Sequence, residues 1–233
     1  MGISLLFSSS AVSGQDQFQD TLHSSNASKN AVLVYKDVFK DDLNLFNGVE
    51  YQFYDRAIQG NAYFPSHQWY TSTLNYDGNY YENIPLLYDI VKDVVIVKYA
   101  KSALPIRLIT NKLAYFTLDE HKFVYITADQ SENMLTSGLY DELIDGQISL
   151  LVKRKKTITS KYNLNEFTLS NYYYLKKDNK YYAVDTKKSV YKILGKNNTK
   201  EIQLHLKKEG VNFNKHKEWA ISLMVAYYDL NIK

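Results

Sequence analysis

Between Leu74 and Tyr99 the chain reads LNYDGNYYENIPLLYDIVKDVVIVKY, its most strongly patterned stretch. Asp77-Gly78 is the dipeptide that a type I′ hairpin turn favours, because both central residues need positive φ, and tyrosines flank it on either side. Val94 to Val97 are four consecutive branched residues, a run short enough for a strand buried on both faces. The stretch predicts three strands in a meander, and the rest of the chain is built around it. Upstream, Asn47-Gly48 predicts a turn, and Val49, Tyr51 and Phe53 alternate with Glu50 and Gln52 as in a strand with one wet face. Ala31 to Leu45 fits a helix and a strand about equally, so periodicity does not decide it.

Strands and turns continue to about Val184. Pro85 falls inside a predicted strand; with no N–H for a ladder, it belongs at an edge or a bulge. Pro105 opens a short strand through Ile109. Leu113 to Leu118 pairs with Phe123 to Thr127 across Asp119-Glu120-His121-Lys122. Gly138 to Ile144 and Gln147 to Thr159 form a hairpin about Asp145-Gly146, and Tyr172 to Leu175 pairs with Lys180 to Val184 about Asp178-Asn179. Beyond Asp185 the period changes. Thr186 can cap a short helix that Gly195 closes. A second begins at Thr199, with Ile202 and Leu206 one turn apart and Gly210 in the C′ position. Asn214 can cap a third, and Trp219 to Tyr228 is apolar on nearly every side, which predicts a well-buried helix.

The fold expected is therefore mainly β with a helical tail: an antiparallel curved sheet, sandwich or partly open barrel of meander hairpins over 31–184. Two or three helices over 185–233 would cover it, since a bare sheet face exposes a large apolar patch. Residues 1–15 carry a short apolar run, Ile3 to Phe7, and small residues at Ala11-Val12-Ser13 that suit signal peptidase, so they predict an export signal. No Lys or Arg follows Met1, so either a basic segment lies upstream of this start or the run is not an export signal. The run is too short to span a membrane. Residues 16–30 are polar and aperiodic, a linker, and contain an Asn26-Ala27-Ser28 sequon.

Composition changes this picture in three ways. Twenty-two Tyr, ten Phe and two Trp favour a β-rich fold in which most rings simply pack. The absence of cysteine removes disulfides, thiolate metal sites, thiol nucleophiles and a lipobox anchor. Charge is uneven: residues 1–150 carry 10 Lys+Arg against 18 Asp+Glu, and residues 151–233 carry 18 against 7, net charges of −8 and +11. Such asymmetry fits halves that face each other, a solvated lysine surface, or an anionic partner for the second half.

Candidate chemistry is sparse. His23, His67, His121, His205 and His216 show no metal-ligand spacing; His121 reads as part of an exposed turn and His67 as a partly buried strand histidine. No nucleophile elbow, P-loop or dinucleotide fingerprint occurs. Asp41-Asp42-Leu43-Asn44 lacks an EF-hand register. Neither metal nor cofactor is expected. Glu50, Asp55, Glu82 and Asp89 lie in or near the central strands, and a glycosidase would need two of them facing each other. Lys153-Arg154-Lys155-Lys156 alternates charge to both faces of a strand. It therefore predicts a strand that runs beyond the sheet rather than into a core, or a cationic patch shared with Lys176, Lys177 and Lys180. No nucleic-acid motif accompanies it, so no nucleic-acid partner is expected.

The segments Leu45-Phe46-Asn47-Gly48-Val49-Glu50-Tyr51, Gly78-Asn79-Tyr80-Tyr81, Ile84-Pro85-Leu86-Leu87-Tyr88-Asp89 and Leu139-Tyr140 through Asp145-Gly146 to Leu150-Leu151-Val152-Lys153 resemble a family of uncharacterised exported proteins of Bacteroidetes-type bacteria. The likeness extends over most of 40–230, including the lysine-rich tail that ends Tyr227-Tyr228-Asp229. It implies export to a periplasmic or outer-envelope setting and brings no activity and no functional residues. The function expected is non-enzymatic binding of a ligand or envelope partner through Trp69, Tyr70, Tyr80, Tyr81 and Tyr88, whose rings can stack on sugars or partner chains. The alternatives are a hydrolase using sheet carboxylates and attachment to anionic envelope surfaces through Lys153, Arg154, Lys155 and Lys156.

Overall fold

The computed structural model describes residues 45–98, 104–128 and 135–231. The chain divides into two compact units, Met1–Asn44 and Leu45–Lys233, and only the second is described. The expected export signal, the linker and most of the ambiguous 31–45 segment lie outside the described residues.

Twelve antiparallel strands form one sheet: β1 (Val49–Glu50), β2 (Tyr63–Phe64), β3 (Tyr70–Tyr76), β4 (Asn79–Asp89), β5 (Val94–Lys98), β6 (Pro105–Arg107), β7 (Leu113–Leu118), β8 (His121–Ile126), β9 (Gly138–Ile144), β10 (Ser149–Lys161), β11 (Leu164–Lys177) and β12 (Lys180–Val184). Their spatial order is β1-β6-β5-β4-β3-β7-β8-β9-β10-β11-β12, with β2 paired to β4. The expected meander is β3, β4 and β5. Asp77 and Gly78 take φ of 52° and 80°, the left-handed pair their turn requires. Val95, Ile96 and Val97 are buried on both faces of β5. Pro85 opposes Thr71 beside a register shift between Ser72 and Leu74, a bulge where its missing N–H costs little.

The sheet curls strongly enough that the Lys156 N–H of β10 donates to the carbonyl of Ile90, just past β4, at 3.0 Å. Inside the curl, Phe116 and Phe123 stack at 4.9 Å and Tyr88 meets Phe123 edge-on at 4.9 Å. Leu74, Leu86, Val95, Val97 and Leu139 complete this core. The outer face of β4 and β5 is closed separately: Tyr51, Ala62 and Tyr63 lie over Leu87 and Ile96.

Three helices follow: α1 (Lys187–Leu194), α2 (Thr199–Lys208) and α3 (Lys217–Asn231). Thr186 caps α1 in a reciprocal arrangement with Ser189, and Gly195 closes it. Ile202 and Leu206 of α2 and Ala220, Ile221, Met224 and Val225 of α3 cover Leu150, Val152 and Leu175 of the sheet and Ile148 just before β10. Two expectations are corrected. Asn212, not Asn214, holds the turn before α3, its Oδ1 accepting from the Asn214 and Lys215 N–H groups. Nor is α3 buried all round: Trp219 is 51% and Leu230 81% exposed, so the helix keeps a wet side despite its apolar sequence.

The β10–β11 hairpin is longer than the pattern predicts. It turns at Tyr162-Asn163, both at positive φ (52° and 63°), and continues to Lys177. Pairing with β9 covers only Leu150 to Val152, so the distal hairpin runs on as an arm with Tyr162 88% exposed.

Candidate functional site

A groove of about 590 Å³ opens where the 51–63 segment crosses the base of that arm. Phe53, Tyr54, Tyr63 and Phe167 supply its aromatic lining. Arg56 and His67 form its charged and polar margin; His67, expected in a strand and partly buried, is exposed and lies between β2 and β3. Such a volume falls within the range of small-molecule sites.

One carboxylate fixes the geometry. Asp89 is fully buried at the end of β4. Its Oδ1 accepts the Val91 and Lys92 N–H groups at 2.8 and 3.1 Å, and its Oδ2 accepts the Tyr51 and Tyr54 hydroxyls at 2.8 and 3.1 Å. A carboxylate so saturated is a fastener for the loop and has no lone pair to spare for chemistry. Lys92 Nζ sits 4.6 and 4.3 Å from the Tyr51 and Tyr54 ring centres, a cation over two electron-rich faces. Burial, reinforced by the Asp89 charge, pushes both phenols well above the usual tyrosine range. Both therefore remain donors to Asp89.

With Tyr51 and Tyr54 held, Phe53 turns outward at 56% exposure and Tyr54 meets Phe167 edge-on at 5.3 Å. The arm is tied at the same place. Gln59 accepts from the Phe167 N–H at 3.0 Å and donates to the Asn165 carbonyl at 2.9 Å, while Lys156 Nζ donates to the Tyr63 carbonyl at 2.7 Å. Burial lowers the Lys156 pKa, and the Asp89 charge opposes that shift. Arg56 is exposed and makes no ion pair among the described residues, so a cation stands free beside the rings.

The five aromatics expected to bind are not one surface. Strand alternation sends Tyr80 out, where its hydroxyl reaches Glu82 at 2.8 Å, and Tyr81 in, at 6% exposure. Tyr88 is fully buried and donates to Asp93 at 2.6 Å. Tyr70 shares a hydrogen bond with Ser66 at 3.0 Å, and Trp69 packs half-buried against the outer core.

The basic run is likewise dispersed. Lys153 Nζ donates to Asp93 at 2.6 Å and to the Leu139 carbonyl at 2.9 Å, Lys156 is tied as above, and Lys155 is exposed. Arg154, which sequence alternation excluded from a core, is 4% exposed. Its NH2 donates to Asp141 at 2.6 Å and to Glu218 at 2.9 Å, so two carboxylates offset the burial of its charge. His121 joins them: it opens β8 instead of sitting in a turn, and its Nδ1 lies 2.8 Å from Asp141 Oδ2.

Of the carboxylates weighed for hydrolysis, Glu50, Asp55 and Glu82 are exposed and Asp89 is saturated. The two that converge are Asp141 and Glu218, and both are ion-paired to one guanidinium, so neither is a free acid or base. Sequence reasoning passed over Phe53, Arg56, Phe167, Asp141 and Glu218. Asp141 alone carried a signal, a charge sharing a strand face with Leu139 and Leu143. Among the described residues no cluster of three His, Asp or Glu could hold a metal ion, and no helix is long and apolar enough to cross a membrane. Compared with protein-family models, curated proteins and solved structures, the chain matches none.

Proposed function

We propose that this is an exported envelope protein whose role is non-enzymatic binding, and that it holds a ring-bearing ligand in the groove between Phe53 and Phe167. The observation that carries the reading is a braced cleft lined by Phe53, which is exposed and packs edge-on against Tyr51, and by the Tyr54–Phe167 ring pair, with Arg56 making no ion pair among the described residues. Aromatic faces stack on the apolar faces of sugars and planar rings, and a free guanidinium orients a polar substituent. The export setting rests on the N-terminal pattern and the family resemblance. The test is a panel of mono- and oligosaccharides titrated calorimetrically against the whole chain. At least one is expected to bind, and Phe53→Ala, at a solvent-facing position, to weaken it about tenfold while leaving the melting temperature in place. A panel in which nothing binds, or a ligand indifferent to Phe53→Ala, rules the reading out.

A further inference from the structure

Among the described residues, the outer edge of β11 is occupied at both ends and open in the middle. In the β10–β11 hairpin, Lys161 faces Leu164 across a two-residue turn, so even-numbered β11 residues direct their N–H and C=O towards β10 and odd-numbered ones away from it. The outward groups are used in two places. Tyr173 opens the pairing to β12 opposite Val184, with Leu175 and Lys177 continuing it, and Asn165 and Phe167 bond Gln59. Between them the main-chain groups of Leu169 and Asn171 point outward, and among the described residues nothing pairs with them. Asn171 Oδ1, at the same place, is buried without a hydrogen-bond donor. Leu169 and Tyr172 flank the gap at 49% and 51% exposure.

A groove of about 500 Å³ lies along this gap, lined by Asn171, Tyr173, Val184 and Thr186. Through Thr186 and Ser189 it adjoins a second groove of about 560 Å³, whose wall carries Lys188, Lys192 and Lys196. All three lysines are exposed and none makes an ion pair among the described residues. An unpaired strand edge is a template for another chain, and a row of free cations beyond its end selects for negative charge on the chain that docks there.

We propose that this edge is a docking site for an extended acidic segment of a partner protein. About five residues would add as a strand beside 168–172, spanning about 16 Å, and carboxylates at one end would lie among Lys188, Lys192 and Lys196. The main-chain bonds give the affinity and the lysines the selectivity.

The probe is a fluorescent peptide of alternating valine and threonine ending in three glutamates, followed by anisotropy with the whole chain. The acidic peptide is expected to bind, and the same peptide N-methylated at alternate residues, whose backbone cannot donate, to bind about tenfold more weakly. Replacing its glutamates by lysines is expected to cost at least as much, and so is raising the salt. On the protein side, Leu169→Pro removes only an outward N–H and leaves the β10 ladder whole, so it should weaken binding without unfolding the chain. No binding of the acidic peptide overturns the proposal. So does an N-methylated or lysine-tailed peptide that binds as well, or an oligonucleotide of equal charge that binds as tightly.

Discussion

From β3 to β8 the sheet closes on rings, with Phe116, Phe123 and Tyr88 in mutual contact; from β9 to β12 it closes on aliphatic side chains brought by α1, α2 and α3. The difference comes from geometry. In the curl, stacked and edge-on rings reach across the interior among Leu and Val side chains, whereas the helices lay mostly aliphatic residues over the sheet face. The two cores meet at Arg154, where β10 leaves the curl and α3 begins. The curled part is thus held by volume and buried hydroxyls, and the helical part by caps and a charged seam.

The largest effect expected is alkaline. Burial pushes the phenols of Tyr88 inside the curl and of Tyr51, Tyr54 and Tyr63 on its outer face above 10.0, and it also raises Tyr140, Tyr173, Tyr174 and Tyr191 of the β9–β12 half. In the unfolded chain they ionise near 10, so the stability their protonated forms contribute is full below that pH and is lost above it. For Tyr88, which is fully buried, the loss is about 1.4 kcal/mol per pH unit while it stays protonated, and the partly exposed phenols contribute less because solvent screens them. Lys153 works in the opposite sense: burial lowers its pKa, so deprotonation relieves a cost as pH rises, and Asp93 blunts that shift. Urea denaturation at pH 8 and pH 11 should show a steep fall, less steep in Tyr88→Phe. A flat profile would mean that the rings are not sealed in.

Next is the seam. Arg154→Ala leaves Asp141, fully buried, without its cation, a loss of about 3–5 kcal/mol. Denaturation followed separately by tyrosine fluorescence and by helix circular dichroism is expected to lose its coincidence, because the helices are untied first. Coincident curves for the variant would show that the cores unfold as one whatever the seam does.

The curl itself was legible where turn chemistry is explicit. Asp77-Gly78 announces its hairpin, whereas Tyr162-Asn163 takes the same left-handed conformations without a glycine, so the sequence pattern marks no hairpin turn there and ends the strand at Thr159. The helices were legible because Thr186, Gly195 and Gly210 are local punctuation. The candidate sites were largely hidden. Arg154 sits in a basic run that reads as surface, and Glu218, which neutralises it, is 64 residues away. The groove joins Phe53 to Phe167 through a single residue bridge at Gln59, a long-range contact that no periodicity encodes. Pattern reading recovers what neighbours decide, and misses what a charge or a ring finds across the fold.

The smallest effect bears on whether the helices rest on the seam or on their own ends. Thr186 Oγ1 accepts the Ser189 N–H at 3.2 Å, and Ser189 Oγ accepts the Thr186 N–H at 3.1 Å, so Thr186→Ala removes one side of the cap. Caps of this kind contribute about 1 kcal/mol. In a chain of this size that is a fall in melting temperature of about 2–4 °C. Because α1 packs Val190, Tyr191 and Leu194 into the helix-covered core, the loss should appear there and leave the aromatic core unchanged. Amide exchange is expected to quicken in α1 while that of β4 and β5 holds. If Thr186→Ala instead costs as much as Arg154→Ala, the helical cover is held by its local ends, and the division between a volume-closed half and a seam-tied half is wrong.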